Sequence, residues 1–557
     1  MTQDTQDDLI YINGISGETG TYAVNPLSIN DLTSAALRQN LSADQWNDIQ
    51  TRQFHKQDSF QILPQYGDGS DLKKARWGII FPAAADPGQV DAILLALDRL
   101  VSLREKQMGG KARIYRGADG FQWRRPPVVS AIRPETKNEW LARNGAGPGQ
   151  VDPTIVPYYL LIIGDPHSIP YIFQYELDVQ YAVGRLYFAS LDEYARYAAS
   201  VEAAETGAVK LKRKAVLFGV ANPGDKATAL STEHLVKPLK TYFDEKMPEF
   251  GLGWETKLVE PNDADRSTLK TLLGGSQTPA LLFSASHGMN FSYMNPDQYR
   301  YQGGLVCRDW KGPRVEGVTR QHYLTAEDIP DSANLLGSVV FHFACFGAGT
   351  PYWDDYAIMR SQDKVALAGR PFIGALPNRL LSLPGGGALA VIGHIDRAWN
   401  FSFQWSGIEQ QTQAYQGLLY QLMDGKPVGL AMESMNDRYS EIATSLATTL
   451  ENLKYTQNPA QIDLVKAAME FANTNDARGY AVIGDPAVSI PLVKTKTARE
   501  KRPLITLAET KPLRLPVVFD PTALVTMNEA ELKAVETENS GQPLPAINPS
   551  APPIPPL

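Results

Sequence analysis

Leu281-Leu282-Phe283-Ser284-Ala285-Ser286-His287-Gly288 decides the fold once it is set beside Val339-Val340-Phe341-His342-Phe343-Ala344-Cys345-Phe346-Gly347-Ala348-Gly349. Each stretch is a short, almost uninterrupted apolar run that ends in small residues, the pattern of a strand buried on both faces of a parallel sheet. Each also delivers one reactive group at its carboxyl end, an imidazole from the first and a thiol from the second. A thiol needs a base that is close in space but can be far away in sequence, and two parallel strands ending side by side would supply it.

An α/β rhythm extends in both directions from this pair. Upstream, Trp77–Pro82, Tyr158–Ile163 and Lys214–Val220 read as strands. Helices are expected over Val90–Gln107 and Leu191–Glu205, and from a cap at Ser231 or Thr232 to about Lys246. A strand near Thr256–Glu260 is followed by a helix capped by Asp263 or Asp265. Downstream come a strand at Ala388–His394, helices over about 407–423 and 426–454, and a last strand at Gly479–Gly484. Such alternation predicts a mostly parallel sheet with helices on both faces. Ile163-Gly164-Asp165-Pro166 recurs as Ile483-Gly484-Asp485-Pro486. This reads either as a common way to end a strand in a turn or as the mark of two related α/β subdomains, a smaller one at 71–207 ahead of the catalytic-type block at 208–495. In both readings the two Asp residues form turns. Residues 1–70 read as an extended arm of short strands and turns. Residues 496–557 read as a Pro-rich tail, whose composition favours extended chain.

The chemistry at the two strand ends is that of a cysteine nucleophile. The free thiol titrates near 8.5, so it needs a base at neutral pH. His287 can take that proton and later give it to a leaving amine. The oxyanion that forms needs backbone donors. Gly288, lacking a Cβ, allows close approach, and the Cys345 N–H is expected to be the second donor; Gly347 and Gly349 are expected to make the turn that exposes the sulfur. Cys307, His342 and His394 read as structural. Net charge −8 and 43% hydrophobic content describe an ordinary acidic globular chain and argue against a nucleic-acid partner. Two cysteines make no disulfide framework. Neither a metal-ligand spacing nor a cofactor motif is present, and the glycine run 385–387 precedes a strand, unlike a phosphate loop. Without a signal-type start or a long apolar run, a cytoplasmic, reducing location and no membrane segment are expected.

At these residues the chain resembles the caspase–hemoglobinase superfamily of cysteine peptidases, in which His precedes Cys by roughly 50 residues in caspase-type members. Within it, the chain is most similar to the gingipain family. Three further stretches carry that closer likeness: Leu161–Pro170; Asp178-Val179-Gln180-Tyr181-Ala182-Val183-Gly184-Arg185; and Ile395-Asp396-Arg397-Ala398-Trp399. The resemblance implies a caspase-like catalytic domain behind a degenerate subdomain, and a protein or peptide substrate cleaved through a Cys345–His287 dyad. It also implies that Asp178 is the acid of a pocket for Arg or Lys, that Trp399 covers that side chain, and that Glu176 orients His287. A regulated protease of bacterial defence or cell death would follow, switched on by an activator protein or held in check by the tail. A scaffold that keeps the fold without the activity is the alternative.

Overall fold

Ten strands pair into one sheet in the computed structural model, which describes residues 9–28, 62–67, 69–124, 133–315, 317–356, 365–404, 410–455, 461–493 and 499–505. These residues belong to one unit that runs to Leu515; residues 516–557 form another and lie outside the described residues, as does most of the expected tail. The same holds for residues 1–8 and 29–61 of the expected arm.

In chain order the strands that position the site are β1 (Gly14–Ser16), β2 (Trp77–Ile80), β3 (Arg113–Tyr115), β4 (Tyr159–Ile163), β5 (Ala182–Leu186), β6 (Lys214–Gly219) and β7 (Glu255–Val259). There follow β8 (Leu281–Ala285), β9 (Gly288–Asn290), β10 (Leu305–Val306), β11 (Tyr323–Leu324), β12 (Val339–Phe343), β13 (Ala390–His394) and β14 (Tyr480–Gly484). The large sheet runs β7-β6-β8-β12-β13-β14-β5-β4-β2-β3. All its pairings are parallel except β13 with β14. The expected mostly parallel sheet is therefore present. It is continuous across the boundary near residue 207, because β14 pairs β5 through Ile483 and Arg185. Strands β8, β12 and β14 are buried at every position, as their nearly unbroken apolar runs require.

Some helix boundaries differ from expectation. The span Val90–Gln107 is two helices, α1 (Pro87–Ala96) and α2 (Asp98–Met108), broken at Leu97. Further along, α3 is Tyr171–Asp178 and α4 is Leu191–Glu205, the latter as expected and closed by a Ser190–Glu193 capping box. The helix expected to start at Ser231 or Thr232 starts one and a half turns earlier. Asp225 caps α5 (Lys226–Ser231), and a wider π turn at Thr232–Val236 leads into α6 (Lys237–Phe250). Pro238 explains the turn, since its ring lacks an N–H and crowds the preceding carbonyls. Asp265, of the two candidates, caps the helix Arg266–Leu272.

A second, four-stranded sheet of order β11-β10-β9-β1 lies at the carboxyl end of β8. Strand β1, from the N-terminal arm, pairs in parallel with β9, through Gly14 with Gly288, Ile15 with Met289 and Ser16 with Asn290. The described part of the tail lies elsewhere: Arg502 donates to the Ser338 hydroxyl, at the end of β12 remote from Cys345. Among the described residues, no helix is long and apolar enough to cross a membrane.

Candidate active site

Parallel pairing of β8 with β12 matches Ala285 to Phe343, so His287 and Cys345 each stand two residues past a matched pair at the same edge of the sheet. Strand β6 lies on the other side of β8 and also ends there, while β7 lies beyond β6. The chain thus reverses its direction of travel across the sheet at β6, the place where open α/β sheets form binding crevices.

The loop after β6 brings the residue that sequence reasoning missed. Asp225 Oδ2 lies 2.8 Å from His287 Nε2, both side chains fully buried. The same carboxylate accepts the Thr228 N–H at 3.2 Å, the Thr228 hydroxyl and the Tyr22 hydroxyl. Burial alone would raise the Asp225 carboxyl, but His287 and the bonds from Thr228 and Tyr22 outweigh it and hold it at about 2. Burial and then Asp225 push the Tyr22 phenol upward, so it donates. A carboxylate can only accept, so Nε2 carries the hydrogen, and in the neutral ring the lone pair is on Nδ1. That Nδ1 is buried and has no hydrogen-bond partner. The ring is held edge-on by Tyr22 and Trp310, with centroids at 5.8 and 5.9 Å.

Cys345 is fully buried. Its sulfur accepts the Ala398 N–H at 3.3 Å. Burial pushes the thiol upward, against a pull downward from Ala398 and the Arg397 guanidinium. The turn after it is made by Phe346 at φ 58°, a left-handed conformation that costs a non-glycine residue energy and is common at functional sites. Gly347 and Gly349, expected to make that turn, do not have positive φ. Gly349 instead gives room to Tyr171, whose hydroxyl would stand 2.0 Å from an added Cβ.

Both expected oxyanion donors point at one atom. The Gly288 N–H donates at 2.9 Å and the Cys345 N–H at 3.2 Å to the carbonyl oxygen of Asn13. A Cβ on Gly288 would stand 1.8 Å from the Cys345 carbonyl oxygen, so only glycine allows this approach.

The remaining expected residues separate into two groups. Trp399 is buried in one apolar cluster with Cys345, Ile12 and Tyr356, so it does line this edge. Asp178 ends α3, where its carboxylate accepts the Val183 N–H at 3.1 Å and bonds Asn436; burial raises it to about 8, so it holds little charge near neutrality. Glu176 accepts the Lys137 N–H at 3.0 Å, and the acid on His287 is Asp225. His342 is a core residue, bonded through Nδ1 to Ser284 at 2.7 Å. His394 bonds the Asp476 carbonyl at 2.9 Å and accepts the Asp396 N–H, beneath the cysteine loop. Cys307 is buried, with its thiol bonded to the Leu305 carbonyl and its titration pushed far up by burial.

The sequence matches no protein-family profile and no curated protein. Among solved structures, it is similar to the Arg-specific cysteine proteinase gingipain R, at 12% identity and TM-score 0.41, covering 75% of this chain and 78% of that one. A complex of Porphyromonas gingivalis RgpB pro- and mature domains is similar at 11% identity and TM-score 0.41, over 74% and 79%. A likeness this distant does not extend to what the chain acts on.

Proposed function

We propose that the chain is a cysteine endopeptidase in which Cys345 is the nucleophile and His287 the base and later the acid. Asp225 fixes the His287 tautomer, and the Gly288 and Cys345 N–H groups stabilise the oxyanion. The observation that carries this reading is the convergence of those two N–H groups on a single carbonyl oxygen, beside a cysteine and one strand from a carboxylate-paired histidine. The buried, protonated thiol is that of a site whose groove is filled, and displacing the filler would admit solvent and lower it. Cleavage after Arg or Lys would further require Asp178 to give up its bonds to Val183 and Asn436 and face the groove.

The test is a fluorogenic peptide panel varied at the residue before the cut, with wild type, Cys345→Ala, His287→Ala and Asp178→Ala chains. Hydrolysis abolished by either dyad substitution is the expected result; hydrolysis that survives Cys345→Ala overturns the mechanism. A preference for Arg that Asp178→Ala removes would establish the basic pocket, and a different preference would dismiss that pocket alone. The same filled groove favours the scaffold reading as the second choice. A thiol-directed probe separates the two, since preferential labelling of Cys345 over Cys307 belongs to the enzyme.

A further inference from the structure

The Asn13 carbonyl is not an isolated contact. From Tyr11 to Ser16 the chain is threaded along the site, bending at Asn13 between a paired stretch on either side. The Asn13 N–H donates to the Ala398 carbonyl at 3.0 Å, and the Asn400 N–H donates to the Tyr11 carbonyl at 3.2 Å. Ile12 lies antiparallel to Trp399 between them. Past the carbonyl, Gly14, Ile15 and Ser16 pair with β9, and Gly17 donates to the Asn290 carbonyl at 2.8 Å. Backbone pairing on both sides of a carbonyl held by two N–H groups is how a groove reads an extended peptide.

The residues on either side of the Asn13–Gly14 bond fit its surroundings. A Cβ added to Gly14 would stand 3.0 Å from the Cys345 sulfur, so the absence of a side chain there lets the thiol lie against the bond. Asn13 is buried, and its Nδ2 donates at 3.3 Å to the Ser231 hydroxyl and at 3.3 Å to the Ser286 carbonyl. A carbonyl can only accept, so this subsite recognises an N–H donor on a short side chain. Aspartate would lose the bond and set its charge against a carbonyl oxygen.

We infer that Tyr11-Ile12-Asn13-Gly14 is the site's own substrate and that the chain cleaves itself between Asn13 and Gly14, with a pocket for a short carboxamide before the cut. The inference rests on the endopeptidase reading. Cys345 gives its proton to His287 Nδ1 as the sulfur bonds the Asn13 carbonyl carbon. The C–N bond then breaks, and the Gly14 nitrogen leaves with that proton. Water attacks the resulting thioester and gives one proton to His287, from which it returns to the sulfur; a carboxylic acid remains at Asn13. The net change is the addition of one water.

The experiment follows the purified full chain over time under reducing conditions by intact mass and N-terminal sequencing. The same preparations are assayed on fluorogenic peptides ending in Tyr-Ile-Asn, Tyr-Ile-Asp and Tyr-Ile-Arg. The expected result is a new N-terminus at Gly14, absent in Cys345→Ala and slowed about tenfold or more in Asn13→Asp. The Asn peptide should be cut about tenfold or more faster than the Asp or Arg peptide. Asn13→Arg should also slow the self-cleavage; faster cleavage would overturn the carboxamide pocket. Cys345-dependent peptide hydrolysis by a chain that keeps the Asn13–Gly14 bond intact overturns the inference and leaves the endopeptidase standing. No hydrolysis of any peptide, with no new N-terminus, overturns both.

Discussion

Asp225 is the residue on which the chemistry turns, and it does two jobs with one carboxylate. It caps α5 through the Thr228 N–H and it holds His287 Nε2. Asp225→Asn can still cap the helix, but its amide can present a donor to Nε2 and so favour the wrong tautomer. Turnover should fall by about 10²–10⁴-fold with KM little changed, read from steady-state kinetics on the preferred peptide. An unchanged kcat would remove Asp225 from the mechanism. His342 makes the opposite case, a histidine kept neutral. Burial lowers it from 6.5 to about 3, so between those values the unfolded chain binds a proton that the folded chain refuses. Stability is therefore lost as pH falls below 6.5, by about 2 kcal/mol from this group at pH 5. Urea unfolding at pH 7 and pH 5 should show a smaller loss in His342→Phe than in wild type; equal losses would mean that the imidazole is solvated. His287 and Cys345 could be read from sequence because each closes an apolar run. Asp225 could not, because Pro223-Gly224-Asp225 has the form of any turn and cap, and its second role exists only once β6 lies beside β8.

At the scale of elements, eight of the ten strands of the large sheet were legible, β3 and β5 were not, and β1 was legible only as one of the arm's short strands, not as the partner of β9. Buried strands such as β8 and β12 announce themselves by nearly unbroken apolar runs. Strand β1 is only three residues long, Gly14-Ile15-Ser16, and what holds it is main-chain pairing with β9, which leaves no mark in side-chain pattern. The π turn between α5 and α6 was equally hidden, since a proline near a helix start normally marks a beginning rather than a continuation. The junction of β8 with β9 yields a prediction. Gly288→Ala puts a Cβ into the Cys345 carbonyl, so β9 must move away from the cysteine loop. That should cost about 1–3 kcal/mol of stability and, by displacing an oxyanion donor, about 10²-fold or more in turnover. Thermal unfolding and peptide kinetics check the two effects separately. Wild-type turnover in Gly288→Ala would mean that this N–H is not an oxyanion donor.

The whole molecule is held together where the repeated Ile-Gly-Asp-Pro motif falls. In the first copy Asp165 shapes a turn, accepting the His167 and Ser168 N–H groups at 2.8 Å each, and lies at the 4.0 Å limit of an ion pair with Arg370. In the second, Asp485 follows the last strand and reaches into the first half of the chain. It accepts Trp77 Nε1 from β2 at 2.9 Å and Arg104 Nε from α2 at 2.8 Å, and its own N–H donates to the Tyr197 hydroxyl of α4 at 2.6 Å. Arg104 also pairs with Glu205 at the end of α4. Beside this cluster, an added Cβ at Gly184 in β5 would stand 2.1 Å from the Gly484 carbonyl of β14, so the two halves of the sheet meet backbone to backbone. The repeat was visible in sequence, but two equivalent turn formers were the natural reading. The asymmetry arises because only Asp485 is fully buried against an arginine. Arg104→Met removes one partner and leaves that carboxylate without its cation, which should destabilise the protein by about 3–5 kcal/mol. Because the clamp spans both halves of a continuous sheet, the loss should appear as one cooperative transition moved to lower denaturant. Two separated transitions in the wild-type chain, with only one of them moved by Arg104→Met, would show instead that the halves fold as independent domains.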